Sequence, residues 1–378
     1  MARLGDVCEL VNGYAFKPTD WSESGTPIIR IQNLNDETAA FNYFDGTIDE
    51  KYIVNTGDLL FAWSGTPGTS FGAFFWTRGR GVLNQHIFNV HPCSKLSKRY
   101  FRYALNGNLE KIIAKAHGGV GLQHITKKEL VEIDIPVPTI EEQERICAAL
   151  EQCNSIISLR KQQIAKLDKL VKARFVEMFG RYPENPNGWE TATIRDIVTD
   201  VRYGSSRPAV DGGKYPYLRM NNITYGGELD LTDTKQIDVP DNELDKCTVR
   251  RGDVLFNRTN SKELVGKTCV YNRDEMMVLA GFVIRVRVNE RILPEFLSTF
   301  LNTDFSKHML QSMCKTAIGQ ANINAQEMQD IGIYLPPINL QKAFVTFVAQ
   351  TDQQKSTIQH SLAQLELLKK ALMQKYFG

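Results

Sequence analysis

The chain has 378 residues, 45 basic and 43 acidic side chains, an apolar share of 42% and seven cysteines. That length allows two domains with connecting elements, and the apolar share is ordinary for domains that bury their own cores. There is no long apolar run and no charged-then-apolar N-terminus, which argues against a membrane span or secretory signal; scattered cysteines without a Cys-x-x-Cys pair argue for reduced thiols in a cytoplasmic protein and against structural zinc.

Residues 1–138 read as a first domain. Leu4-Gly5-Asp6-Val7 leads into a loop from Asn12 to Pro27 that Gly and Pro punctuate. Ile28-Ile29-Arg30-Ile31 is expected to be a strand ending in Gln32-Asn33-Leu34-Asn35. The turn Gly57-Asp58 feeds a strand, Leu59-Leu60-Phe61-Ala62. A polar, Gly-rich loop runs from Trp63 to Ser70. His86 to Val90 reads as a strand and Tyr100 to Ala116 as a helix. Leu130 to Ile135 reads as a closing strand after the loop His117 to Thr126.

Ile135-Pro136-Val137-Pro138-Thr139-Ile140-Glu141-Glu142-Gln143 then opens a stretch without Pro or Gly up to Gly180. Thr139 with Glu142 forms a capping-box pair, and Gly180 suits the position past a helix C-terminus. Residues 139–180 therefore read as one helix, about 60 Å long at the usual rise. Ile146, Leu150, Cys153, Ile157, Ile164, Leu167, Val171 and Met178 form a heptad seam, which Arg160 and Arg174 interrupt. Such a seam requires a partner helix.

Residues 181–335 repeat the plan, beginning with a Pro- and Asn-rich linker, 181–187. Tyr217-Leu218-Arg219-Met220 ends in Asn221-Asn222 as Ile28 to Asn33 does. Gly252-Asp253-Val254-Leu255-Phe256 matches Gly57-Asp58-Leu59-Leu60-Phe61, and Ala317 to Asn324 stands where Val120 to Thr126 stood. Ile333-Tyr334-Leu335-Pro336-Pro337-Ile338-Asn339-Leu340-Gln341 opens the second long helix, residues 336–378. Ile146 corresponds to Phe344, Leu150 to Val348, Ile164 to Leu362, Leu167 to Leu365 and Met178 to Tyr376, and Ile358 also lies on the second seam. The fold class expected is α+β: two mixed α/β domains separated by two long antiparallel helices, with an internal pseudo-two-fold repeat.

No catalytic set emerges. The six histidines lack metal-ligand spacing, His117-Gly118-Gly119-Val120-Gly121 lacks the Gly-Lys-Ser/Thr of a phosphate loop, and no nucleophile elbow or nucleotide fingerprint is present. The loops do offer base-reading chemistry, because Arg pairs bidentately with guanine and Asn or Gln with adenine. Arg30, Gln32 and Asn33 correspond to Arg219, Asn221 and Asn222. Asn257, Arg258, Asn260 and Lys262, with Gln320 and Asn322, supply the same types. Charge is balanced within each domain, at 14 bases and 14 acids in residues 1–138 and 19 and 21 in residues 181–335, so any polyanion site must be local. A local asymmetry exists: Glu228 to Asp245 holds seven acids and one base, and Lys246 to Arg273 holds seven bases and two acids. Charge alone leaves that run equally open to reading as a solvated face.

The whole chain resembles the specificity subunits of type I DNA restriction–modification systems. Ile135 to Gln143 and its copy Leu335 to Gln341 carry the resemblance, each opening a long helix that ends Met178-Phe179-Gly180 or Tyr376-Phe377-Gly378. So do the Gly-Asp-strand motifs at Gly57 and Gly252 and the Gly-Gln tract before each closing strand; Leu340, in place of Glu, departs from the pattern. The resemblance implies two target recognition domains, each reading one half of a split double-stranded DNA sequence, and a helix pair acting as spacer. It implies docking of two modification subunits that bring S-adenosylmethionine and methylate adenine, and of restriction subunits that use ATP and magnesium. This chain would bind no cofactor itself and would be non-catalytic. Ser64, Thr66, Thr69, Gln123, His124, Arg202, Ser205 and Arg207 complete the expected DNA-contact set. The seam interruptions Arg160, Arg174, Lys355 and Lys369 are expected to face a partner subunit or solvent. The alternative from another class is a coiled-coil adaptor without DNA binding.

Overall fold

A computed structural model describes residues 1–66, 70–119, 122–317 and 320–378. The chain divides into two units. Met1–Arg160 with His360–Gly378 forms unit 1, and Lys161–Gln359 forms unit 2. Both are built on one plan.

In unit 1 a four-stranded antiparallel sheet runs in the order Cys8–Asn12, Ile87–Pro92, Leu59–Ala62, Gly72–Phe75. A second, mixed sheet runs Asn42–Phe44, Thr26–Ile29, Gly81–Leu83, Ile53–Val54, with its middle pair parallel. Unit 2 has the same two sheets: Val198–Tyr203, Val283–Val288, Val254–Asn257, Thr268–Val270, and Lys235–Ile237, Tyr215–Leu218, Met277–Leu279, Thr248–Val249. Each unit closes with a two-stranded pair joining its beginning to the segment before a long helix, Ala2–Arg3 with Asp134–Ile135 and Glu190–Thr193 with Gly332–Leu335.

The unbroken apolar run Leu59–Ala62 follows from its position. Leu59 and Phe61 face one core, and Leu60 faces a second core with Ile29, Val54 and Trp76. Successive strand residues point to opposite faces, so a strand covered on both sides needs apolar residues throughout. Val254 and Phe256 against Leu255 repeat the arrangement.

The expected strand Leu59–Ala62 forms with those bounds. Other elements differ. The strand placed at Ile28–Ile31 is Thr26–Ile29, and Ile31–Asn35 is one helical turn because the Asn33 side chain accepts from Arg30 N–H at 3.0 Å and caps it. Tyr100–Ala116 is two helices, Lys98–Gly107 and Leu109–Ala114, broken at the buried Asn108. The closing strand Leu130–Ile135 reduces to Asp134–Ile135, because Lys127–Leu130 turns helical behind a Thr126–Glu129 capping box.

Both long helices have 40 residues, Ile140–Phe179 and Ile338–Phe377. Gly180 ends the first in the left-handed region, φ +76°, which favours glycine. Of the capping box only the threonine arm forms, Glu142 N–H to Thr139 Oγ1 at 3.3 Å; the Glu142 carboxylate pairs with Arg145 instead. In unit 1 the start of the first helix lies beside the end of the second, with Cys153 Sγ 3.5 Å from Leu365 O. In unit 2 the end of the first lies beside the start of the second, where Lys355 Nζ meets Asp168 at 2.5 Å. The helices are thus antiparallel.

Burial along the seam is uneven. Ile146, Leu150, Ile157 and Phe344 are buried, and Ile164, Leu167, Val348, Ile358, Leu362 and Leu365 only partly so. The helix ends are what enter the domain cores. Phe377 packs on Tyr100 and against Gly107, where a Cβ would come 2.5 Å from its own. Phe179 lies 4.9 Å from Phe296 and 5.5 Å from Phe344.

One buried glutamine per unit bonds each helix start to its domain. Gln143 Oε1 accepts from Ser97 N–H at 2.9 Å, and its Nε2 donates to Lys95 O and Pro138 O. Gln341 repeats this with Leu293 N–H, Arg291 O and Pro336 O. Both are 0% exposed. Gln143→Leu keeps the size but orphans these groups, at about 1–3 kcal/mol for each buried group left unsatisfied. We expect urea unfolding to show a loss of about 3 kcal/mol or more; an unchanged midpoint would refute this role.

Candidate nucleic-acid interface

The candidate side chains fall into two sets in each unit. The first sits on a small three-stranded sheet. In unit 2, Thr259–Asn260 pairs with Gln320–Asn322, which pairs with Lys315–Ala317. In unit 1, Ser64–Gly65 pairs with Leu122–His124, which pairs with His117–Gly119. This pairing brings Ser64 together with Gln123 and His124, and Asn260 with Gln320 and Asn322. Segments far apart in sequence thus meet on a surface of the same topology in both units.

On the unit 2 sheet Arg258 is partly exposed. Its guanidinium lies 4.9 Å from the Tyr203 ring centroid and donates to Asn322 Oδ1 at 3.2 Å, while Asn322 Nδ2 donates to Thr259 Oγ1 at 2.8 Å. The Tyr203 hydroxyl accepts from Ala325 N–H, fixing the ring under the arginine. Lys315 pairs with Glu327 at 2.6 Å beside it. A cation stacked on a ring and hydrogen-bonded from one side keeps its remaining donors in a defined direction. Gln320 and Lys262 are exposed at the edge.

On the unit 1 sheet the Trp63 ring stacks on Phe88 at 5.7 Å and meets His86 edge-on at 5.3 Å; its Nε1–H donates to Asn12 Oδ1. Burial, with the charge of His124, holds the His86 pKa below its usual value. Glu129 takes hydrogen bonds from Thr126 and from His117, which hold its pKa down at about 2. His124 and Thr66 are exposed, and Ser64 and Gln123 partly so. Thr69 lies outside the described residues, as do Val120 and Gly121 of the glycine-rich loop and Ile318 and Gly319 of its counterpart.

The second set lies in the turn after the strands Thr26–Ile29 and Tyr215–Leu218. Arg30 donates to Asn42 Oδ1 and lies over the Trp21 ring; Arg219 donates to the Asp233 carboxylate at 2.7 Å. Gln32 and Asn221 are exposed. Arg202 pairs with Asp200, and Arg207 makes a two-pronged pair with Glu243.

Four expected DNA contacts are corrected by burial. Asn33 and Asn222 each accept from the backbone N–H of the preceding arginine and donate to carbonyls, Ala39 and Ala40 in one case, Asp230 and Asp233 in the other. Asn257, 0% exposed, donates to Thr259 O and Phe282 O and accepts from Asn260. Ser205 is buried and its Oγ accepts from Arg207 N–H. Their polar atoms are spent inside the fold. The basic run Lys246 to Arg273 is also not one stripe. Arg250 and Arg251 precede the strand Val254–Asn257 and Arg258 and Lys262 follow it, while Lys267 is buried with Nζ on Met220 O. Lys355, expected on the surface, is 8% exposed and pairs with Asp168 and Glu228 at 2.5 Å each. Tyr203, Trp63 and Lys315 were not legible as partners of these sites, because strand pairing alone brings them there.

Among the described residues no group of three or more His, Cys, Asp or Glu side chains could hold a metal, and no helix is long and apolar enough to cross a membrane.

Two repeats of a mixed α/β domain, each joined to a long helix and each carrying a polar three-stranded sheet, define a class of internally duplicated α+β proteins. Comparison with known proteins then fixes the family. The model of the type I restriction modification DNA specificity domain matches residues 1–169 and again 186–367, and the chain belongs to that family. The EcoBI type I restriction enzyme specificity subunit of Escherichia coli is 25% identical, over 99% of this chain and 84% of that protein. The EcoKI specificity subunit of Escherichia coli K12 is 23% identical, over 100% and 88%. Among solved structures, the type I system S subunit of M. genitalium aligns with a TM-score of 0.55 at 16% identity, covering 100% of this chain and 95% of that one. A chain from a study of complex assembly and conformational transition in a type I system aligns at 0.62 and 19%, covering 100% and 96%. The role of this chain is DNA sequence specificity, and nothing favours the adaptor alternative.

Asn257→Ala is expected to lower stability by about 1–3 kcal/mol, the cost of leaving its buried partners unpaired, in a urea melt of the full chain. No loss would show that this asparagine is free to face outward.

Proposed function

We propose that each domain reads one half of a bipartite DNA target and that the helix pair sets the separation of the halves. The observation that carries this reading is the recurrence, in both units, of a polar three-stranded sheet bearing different side chains. It holds Ser64, Gln123 and His124 in one unit and Arg258, Asn260, Gln320 and Asn322 in the other. One scaffold with two different displays suits two different half-sequences. Arg30, Gln32, Arg219 and Asn221 supply further contacts from the neighbouring turns, and Thr66, Thr69, Arg202, Arg207 and Lys262 hold the phosphate backbone. Phosphate contacts position the protein, and base-edge contacts specify the sequence.

In this reading the chain performs no chemistry and binds no cofactor. Two modification subunits, docked on the helix pair and the adjoining domain surfaces, bring S-adenosylmethionine and methylate adenine. Restriction subunits join through them and bring ATP and magnesium. The assembly works in the cytoplasm, where its DNA is.

Matching four-residue helical insertions after Lys161 and after Gln359 lengthen both helices by ~6 Å, close to two base-pair steps of 3.4 Å. We expect the gap between half-sites to lengthen with each half-sequence unchanged, read by methylation of duplexes with graded gaps; an unchanged gap refutes the spacer role. Arg258→Ala is expected to relax discrimination at one base position by about 1–3 kcal/mol, measured by competition binding with single-base variants. A uniform loss across all sequences would assign Arg258 to a phosphate instead.

A further inference from the structure

The two units share a framework but not one cleft, between the first four-stranded sheet and the long helices. In unit 2 the cleft is filled by the chain's own loop. Gly227, at φ +89°, lies so close to Asn302 and to the Thr268 carbonyl that a Cβ there would stand 2.5 Å from Asn302 Nδ2. The next residue, Glu228, reaches the long helices and places its carboxylate 2.5 Å from the buried Lys355 Nζ, which also holds Asp168. On the other side Tyr225 covers the buried Lys307, whose ammonium lies 5.5 Å from the ring.

Asn106 holds the corresponding place in unit 1, with its side chain on both Ala73 N–H and Ala73 O as Asn302 sits on Thr268 O. Here the loop between the capping asparagine and the next strand is shorter: Asn33 is followed by a strand at Asn42, whereas Asn222 is followed by one at Lys235. No segment of the described chain comes down into the cleft. It is left as an open groove of about 470 Å³, bounded by Ala73 and Asn106 below and by Asn154 and Lys369 of the two long helices. Asn154 donates to the Tyr103 hydroxyl, and the Arg102 guanidinium lies over the Phe75 and Tyr103 rings, 5.0 and 4.7 Å from their centroids. Neither Arg102 nor Lys369 forms a salt bridge among the described residues, although Glu151, bound to Arg99, lies near enough to Arg102 to feel its charge. Arg78 adds a third cation on the rim, against a single acid, Glu37.

We propose that this groove receives an acidic polypeptide segment of the modification subunit that docks on unit 1, its carboxylate meeting Arg102 and Lys369 as Glu228 meets Lys355 in unit 2. The inference rests on the reading that this chain docks two modification subunits. It adds that the two docking surfaces are unequal: one takes the partner's segment and the other is already filled. A polypeptide, rather than a phosphate, is the occupant because the same framework position in unit 2 takes backbone and a carboxylate. The rings under Arg102 and the apolar wall of Leu34 and Phe74 also suit a peptide segment.

The test uses the full chain with the modification subunit of the same system, weighed as a complex by light scattering and titrated by calorimetry. Wild type is expected to bind two copies. Arg102→Glu/Lys369→Glu is expected to retain one copy and to weaken the second at least tenfold. Lys369→Glu alone, a change on a partly exposed helix position, should give an intermediate loss, and Arg102→Lys should behave like wild type. Retention of both copies with affinity within twofold by variants with an unchanged melting temperature would overturn the groove as a docking site. So would a loss of DNA affinity with both copies kept, which would assign the cations to phosphate. Failure of wild type to bind any copy would instead overturn the reading on which the inference rests.

Discussion

Each domain is bonded to a long helix by one buried amide. Gln143 and Gln341 occupy equivalent places, and each bridges the N-cap of a domain helix, a carbonyl just before it and a carbonyl of the proline segment ahead of the long helix. A fully buried amide with every atom matched fixes direction as well as distance, because any other placement orphans polar groups in a low-dielectric interior. The long helix therefore leaves its domain at a set angle. Where the other helix returns, it is fixed by aromatic packing, Phe377 on Tyr100 in unit 1 and Phe175 and Phe179 against Phe296 and Phe344 in unit 2. The partly covered middle positions of the seam contribute less, and it is the helix ends that belong to the domain cores.

Duplication kept what the fold needs and varied the surfaces proposed to read DNA. The capping asparagines, the glutamines, the doubly covered central strands and the order of every sheet recur. The loops and the side chains on the small polar sheets do not. Polar chemistry at the helix pair diverged too. Unit 2 spends Glu228 and Asp168 on Lys355, and burial in such a pair is tolerated because both carboxylates answer the ammonium. Unit 1 leaves its arginine and lysine at the edge of an open cleft. The internal symmetry of the chain is broken at this cleft.

The large features were legible from the residues. Two Pro- and Gly-free stretches with a shared seam, each after a strand and a Pro-containing segment, gave both helices and their antiparallel sense. The apolar strand Leu59–Ala62 was equally clear. Local helical turns were not, since Asn33 and Asn222 look like polar loop residues until their hydrogen bonds show that they cap a turn. The same ambiguity misplaced Asn257 and Ser205 among the DNA contacts, because asparagine and serine serve a buried turn as well as a DNA surface. Lys355 was misread as a surface seam break for a related reason. Its partner Glu228 lies 127 positions away, and no periodicity links them. The pairing of residues 259–260 with 320–322, which assembles the candidate interface, is likewise a long-range fact.

In the function proposed, the two domains read independently and the helices bonded to them hold one separation. Mapping methylated adenines across the genome of a host carrying this chain and its modification subunit tests it most directly, with and without exchange of residues 1–138 for the matching domain of a relative. The expected result is two short defined sequences flanking a gap of constant length, and after the exchange one new sequence with the other sequence and the gap unchanged. A single uninterrupted motif, or an exchange that alters both halves, would contradict it.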